Sequence, residues 1–360
     1  MNQLIPITEY ISYMLFSYIV GHVVLQFIPE SKKPVIQTSK QGLLLSVLGI
    51  IILTFLPVLQ VILYFSPEGI LSLNAYSILT EFQVGIAWLY GSFFAVFLWM
   101  ILYVEGSKYF QALFVLLMII SVGYASHSAT LELWPGLISH SIHYLTITIW
   151  VGVLIHIGWL THKVENWHSF LRWFTPLSII LFLITLVSGL SLMLFVVELK
   201  DYANSWVLPY GQTLLIKHIS IVPVLTFALV NGFLSRKARL DKSFDAKKWV
   251  QVETICLMII FFITGILGTL PPPHQVNATV ISEGTAFWMD FLLGQEIVAP
   301  FSVQLTTGIQ STLLLVIAVI FLIMIIISFF KRLSPWIALG FAIIFIIAAY
   351  LGLMMSIVIS

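Results

Sequence analysis

Residues 308–332 read GIQSTLLLVIAVIFLIMIIISFFKR. No charged side chain interrupts the run until Lys331 and Arg332 end it. About twenty consecutive apolar residues are enough to cross a ~30 Å hydrocarbon core as a helix. In lipid a helix satisfies its own backbone N–H and C=O groups, which an open strand or loop cannot do. The same pattern recurs along the whole chain, which is 360 residues long, 60% hydrophobic and only 9% charged, with a mean hydropathy of +1.07. Soluble domains are about a quarter charged, so this composition excludes a water-soluble globule. Period-two alternation is absent, which argues against an outer-membrane barrel. The expected fold is all-α: a polytopic bundle of membrane-spanning helices.

Ten spans are expected, at about 8–28, 41–65, 82–104, 109–127, 139–161, 172–197, 210–234, 248–269, 308–330 and 335–358. The charges give an independent check. Lys32, Lys33 and Lys40 follow the first span, Lys108 the third, and Lys163 and Arg172 the fifth. Arg236, Lys237, Arg239, Lys242, Lys247 and Lys248 follow the seventh, and Lys331 and Arg332 the ninth. Fourteen of the sixteen basic residues thus follow odd-numbered spans. The N-terminus and the even-numbered links hold Glu9, Glu68, Glu81, Glu132, Glu198, Asp201, Glu283, Asp290 and Glu296. By the positive-inside rule both termini face outward. The opening MNQLIPITEYISYML lacks a basic n-region and a small-residue cleavage site, so it reads as a retained helix.

The organisation expected is an eight-helix core over 1–269, an extracytoplasmic loop over 270–307 and two further helices over 308–360. The loop contains PPPH and the aromatics Phe287, Trp288, Phe291 and Phe301, and its WMDFLLG stretch suits a cap lying along the interface. A faint repeat runs through the core. Tyr13 and Gly21 have the spacing of Tyr144 and Gly152, 131 residues on, and the FQVG ending at Gly85 resembles the LPYG ending at Gly211, 126 residues on. Two parallel four-helix units plus two added helices would account for both offsets.

Cys256 is the single cysteine, which excludes a disulfide framework and any CxxC redox or zinc motif. No GxxxxGKS/T phosphate loop is present. The net charge of +1 makes no electrostatic case for nucleic acid. The nine histidines are more informative, because ionisable groups inside spanning helices are costly and usually functional. At the outer level lie His127, His140, His143, His218 and, in the loop, His274; inward lie His22, His156, His162 and His168. His140 and His143 are three apart and share a helix face, and the short link Leu131–Ser139 brings His127 towards them. Imidazole suits copper, zinc and iron, and thioether sulfur shifts the choice towards copper(I). Met14, Met193, Met289, Met354 and Met355 lie near that level. Lys217 sits about six residues inside the seventh span, where it either snorkels or balances Glu198 or Asp201. Glu253, near the inner end of the eighth span, either pairs with Lys247 and Lys248 or lies on an ion path.

At these residues the sequence resembles the copper resistance protein D family of bacterial inner-membrane proteins. GYASHSA looks like its element at the end of the fourth helix, with Ser126 where glycine is usual. IHYLTITIWVGVL, with His143, Trp150 and Gly152, is similar to its next helix. YGQTLLIKHISIVPVLTFALVN supplies Tyr210, Gly211 and Lys217, and VETICLMIIFFITGILGTLPPP supplies Glu253 and Pro271 to Pro273. The likeness covers about 80–273. It implies copper movement across the bacterial cytoplasmic membrane and carries over His127 and His143 as candidate ligands. His22 and His156 have no family counterpart, and no soluble His- or Met-rich copper-binding domain is expected at either end.

Three readings stay open. In the first, His127, His140 and His143 capture copper from outside, Lys217 shapes the local field, Met193 lies on the pathway, and Glu253 and His156 lie on the exit side. In the second the chain is a b-type haem cytochrome, with axial ligands from His22, His156, His143 and His218. His143 and His156 are 13 residues apart on one helix, about 220° around it, so haems on both would sit on opposite sides. In the third, a non-transporting assembly factor hands copper to an extracytoplasmic copper-binding protein or a respiratory enzyme. None of the three requires the chain to be an enzyme, although bound haem would bring redox activity.

Overall fold

The computed structural model describes residues 4–65, 72–161, 166–234, 245–273, 275–294 and 296–360. His162, His274, Glu68, Lys163, Arg236, Lys237, Arg239 and Lys242 lie outside the described residues. Each of the ten expected spans is helical. They are α1 (Ile5–Leu25), α2 (Lys40–Phe65), α4 (Gln83–Tyr103), α5 (Lys108–Tyr124), α7 (Leu133–Trp159), α8 (Trp167–Leu194), α9 (Pro209–Leu229), α10 (Ala246–Leu267), α13 (Ile309–Phe330) and α14 (Pro335–Met354). Short helices α3 (Leu73–Glu81), α6 (His127–Leu131), α11 (Val276–Glu283) and α12 (Met289–Leu293) occupy the links, and β1 (Val303–Leu305) pairs antiparallel with β2 (Ile357–Ile359). Residues Val230–Leu234 prolong α9 as a π-helical turn. Helix starts use short polar side chains: Ser72, Ser107, Ser126 and Asp245 accept backbone N–H groups at the starts of α3, α5, α6 and α10.

Among the described residues, eight of these helices are long and apolar enough to cross a membrane. The two others are α5, at 17 residues, and α1, whose Thr8, Glu9, Ser12, Ser17, His22 and tyrosines lower its hydropathy. A helix enclosed by protein does not need a fully apolar surface, and α1 packs against α2, α5 and α7. The chain is a multi-pass helical membrane protein.

Contacts divide the chain into two compact units, Met1–Phe195 and Val196–Ser360. The division falls after the sixth span. In the first unit Phe16, Ile19, Val20 and Val23 of α1 meet Val47 and Ile50 of α2, Leu98 of α4 and Ile119 of α5. In the second, α9 packs against α10, α13 and α14. The expected cap is folded onto this unit: Val276, Val280, Ala286, Met289 and Phe301 join a buried cluster with Trp206, Val207, Leu215 and Phe345. Trp288 Nε1 donates to Gln212 Oε1 of α9 (3.1 Å). Phe287 and Phe291 stay exposed.

The basic links of the first unit collect at one end, as the charge pattern requires. Lys40 pairs with Glu105 (2.9 Å), Lys108 Nζ donates to the Gln26 carbonyl, and Trp173 and Asn166 donate to the carbonyls of Lys32 and Lys33. The links after the first, third and fifth spans therefore meet.

The 131-residue offset acquires a physical meaning here. Tyr13 and Tyr144 touch edge to face, with ring centroids 5.7 Å apart. A Cβ on Gly21 would collide with the Gly152 backbone, and one on Gly152 would collide with the Ser17 carbonyl. Positions that match in sequence are therefore partners in space, across two helices that both run from the outer to the inner end. Glu9, Tyr13, Ser17 and Gly21 recur every fourth residue, and His140, Tyr144, Thr148 and Gly152 do the same. Residues four apart share a helix face, so a polar, small-residue stripe on α1 lies against one on α7. Small residues at such a crossing let backbones approach closely, which is how helices associate where lipid supplies no hydrophobic drive. The second repeated pair plays a different part. Gly85 abuts the end of α3, and Gly211 abuts the 3-10 turn Asn204–Val207, each admitting the segment that precedes its own helix.

Gly152→Leu should lower the thermal unfolding midpoint of the detergent-purified protein by the equivalent of about 1–3 kcal/mol or abolish folding. Gly340→Ala, where nothing lies within 4 Å, should leave the midpoint unchanged. An unchanged midpoint for Gly152→Leu would show that the crossing is not closed.

Candidate functional site

At the end where α7 begins, the three imidazoles take different partners. His143 turns towards α8: its Nδ1 lies 3.1 Å from the Thr185 carbonyl and 3.2 Å from Ser188 Oγ, and its ring fills the space over Gly189. A carbonyl only accepts, so Nδ1 carries the proton and the basic lone pair is on Nε2. This is the arrangement in which second-shell groups hold metal-ligating histidines. His140 instead stacks on Tyr144, with centroids 6.2 Å apart and planes 19° apart. His127 is exposed on α6. Among the described residues no three His, Cys, Asp or Glu side chains stand together as a metal-holding group. The expected trio is therefore not gathered into one group, although the three-residue spacing of His140 and His143 favours it. The reason is local: His140 and His143 sit about 60° apart around α7, and α8 draws one away from the other.

Glu9 was read as an outer flanking acid but lies inside α1, where it is hydrogen-bonded to Tyr13 one turn on. With Tyr13, Tyr144 and His140 it forms the polar head of the α1–α7 seam. Its i,i+4 spacing to Tyr13 was visible in the sequence; its depth was not, because the first span was placed three residues late. Met193 lies one turn beyond Gly189 on α8 and is half-buried. Met289 and Met354 are fully buried packing in the second unit, a role methionine commonly fills.

At the other end of the seam the structure brings His22 and His156 together, with ring centroids 6.4 Å apart. His156 is 1% exposed. Its Nδ1 lies 2.8 Å from the Gly152 carbonyl, so Nδ1 is again the donor and Nε2 carries the lone pair. Tyr18 stacks on the same ring, with centroids 5.2 Å apart. The Gly21–Gly152 contact lies four residues, or about 6 Å along the helix, from His156. His143 and His156 do face opposite sides of α7, towards α8 and α1, as their spacing requires.

In the second unit, the Tyr202 hydroxyl and His218 Nδ1 are 2.7 Å apart. Burial pushes the Tyr202 phenol up to about 12, so it stays protonated beside the ring. Lys217 has neither expected partner: Glu198 pairs with Lys200 (2.7 Å), and Asp201 accepts from Asn204 (2.9 Å). Lys248 pairs with Asp245 (3.1 Å) at the helix start. Glu253, 2% exposed, accepts from Asn231 Nδ2 (2.7 Å), which also donates to the Trp249 carbonyl. The π-helical turn at Val230–Leu234 presents this asparagine.

Residues 168–267 match the family model described as copper resistance protein D, so the resemblance holds over that stretch. It runs from α8 through α10 and includes Met193, Lys217, His218 and Glu253, while His22, His127, His140, His143 and His156 precede it. No curated protein and no solved structure matches the chain.

Asn231→Ala should destabilise the protein by about 1–3 kcal/mol, because a buried carboxyl loses a donor. Glu253→Gln should cost less, since its amide oxygen still accepts from Asn231. Denaturant unfolding in detergent checks both, and equal losses would put the stabilisation elsewhere.

Proposed function

Proceeding from the copper resistance protein D match, we propose that the protein moves or delivers copper across the bacterial cytoplasmic membrane. The observation that carries this reading, beside the family match, is His143: half-buried near the outer end of α7, with Nδ1 anchored on α8 and Nε2 left as the basic nitrogen. A neutral nitrogen donor held in one orientation at the membrane edge replaces water around an incoming soft cation without a rearrangement of its own. Met193, on the same helix as the anchor, supplies a thioether one turn away from Gly189. Glu9, at the head of the α1–α7 seam, supplies negative charge to offset the ion's desolvation. With no phosphate loop in the sequence, movement is passive or driven by an ion gradient or the membrane potential, the last worth about 2.3 kcal/mol per charge per 100 mV. Copper would arrive from, or leave to, an extracytoplasmic copper-binding protein or a respiratory enzyme.

The experiment is copper flux into proteoliposomes together with an optical spectrum. Wild-type protein should take up copper, and His143→Ala should slow the initial rate about tenfold or more, the scale of a lost or disoriented ligand. Met289→Leu should transport normally. Copper bound without flux would favour the assembly-factor reading. A Soret band that sharpens on reduction would replace copper with haem as the bound species.

A further inference from the structure

We infer that His22 and His156 form a two-coordinate site for a monovalent soft cation, copper(I), at the inner end of the α1–α7 seam. This rests on the copper reading above and names a second station on the same route.

Four observations converge on the pair. The Nε2 atom of His156 is buried and meets no hydrogen-bond partner, and unsatisfied buried polar atoms are uncommon enough to require an explanation. His156 Nδ1 donates to the Gly152 carbonyl, which holds the lone pair on Nε2 and fixes the ring, as a backbone acceptor does for a metal ligand. No hydrogen bond holds His22 among the described residues, so its imidazole is available to the same ion. Finally, the ring centroids are 6.4 Å apart. Two imidazoles bound end-on to one ion give a separation of about 6 Å, twice a ~2 Å metal–nitrogen bond plus the distance from nitrogen to ring centre.

The donor set selects the ion. Zinc requires about four ligands, and no third His, Cys, Asp or Glu joins the pair among the described residues. Copper(I) is stable with two nitrogen donors in line. The local charge agrees with a single positive charge. Lys33 is the nearby cation, held by Glu30 (2.9 Å) and by the Leu25 carbonyl (2.6 Å), and it would oppose a divalent ion more strongly. Tyr18 stacks on the His156 ring, with centroids 5.2 Å apart, and the glycine crossing lies one turn away.

The test uses full-length protein in detergent, titrated with copper(I) under reducing, anaerobic conditions against a chromogenic copper(I) chelator. Wild type should hold an equivalent that His22→Ala and His156→Ala each lose, with the double variant losing no more than either single one. X-ray absorption of the bound copper should give two nitrogen neighbours. If the alanine variants do not fold, His22→Met and His156→Met, which keep a soft donor, should retain the copper. Folded variants that keep the wild-type copper content overturn the site, as does zinc held with equal affinity by the same pair. The transport reading fails separately: protein that binds copper at the pair but moves none into vesicles loses the flux and keeps the site.

Discussion

The rest of the first unit depends on two backbones touching between Gly21 and Gly152. In a bilayer, apolar side chains gain little by choosing one another over lipid, so close packing and polar contacts decide which helices pair. Glycine on both sides brings α1 and α7 together closely enough to align their four-residue stripes over several turns. Once that register is set, Tyr13 meets Tyr144 and His22 meets His156. The polar side chains of α1 face protein, which explains how a helix with Glu9 and His22 can occupy the centre of a membrane bundle. Larger residues at the crossing would separate every pair along the seam together.

The other buried polar groups divide by how they are held. Glu253 is tied to Asn231, and His218 to Tyr202; each has a partner whose removal would cost stability. His143 is held through Nδ1 on α8, and His156 through Nδ1 on its own helix, where its buried Nε2 meets no hydrogen-bond partner. Lys217 is the exception on the cationic side, since both nearby acids are engaged by other residues.

The helical runs are legible in the sequence because apolar length answers to the bilayer alone. What depended on a particular neighbour was not. The 131-residue offset suggests a duplicated unit in the sequence, and what the sequence does not reveal is that its matched residues touch, Tyr13 against Tyr144 and Gly21 against Gly152. Helical spacing put His140 and His143 on one face, yet Thr185, Ser188 and Gly189 of α8 claim only the second. Glu9 passed for a flanking charge because hydropathy cannot tell a span's polar first turn from the link before it. His22 and His156 were placed at one depth from the sequence, and the glycine crossing is what joins them.

The division of contacts bears on how the family-matched stretch should be regarded. Residues 168–267 begin on α8, whose packing partner in the first unit is α7, and end with α10, which packs with α9 and α14 in the second. The stretch is contiguous in descent but not in folding: cut out by itself, it would leave α8 bare along the side α7 covers and α9 without α13 and α14. The heritable segment and the cooperative structural unit are different objects in this chain, and the boundaries of one are no guide to where the other can be severed.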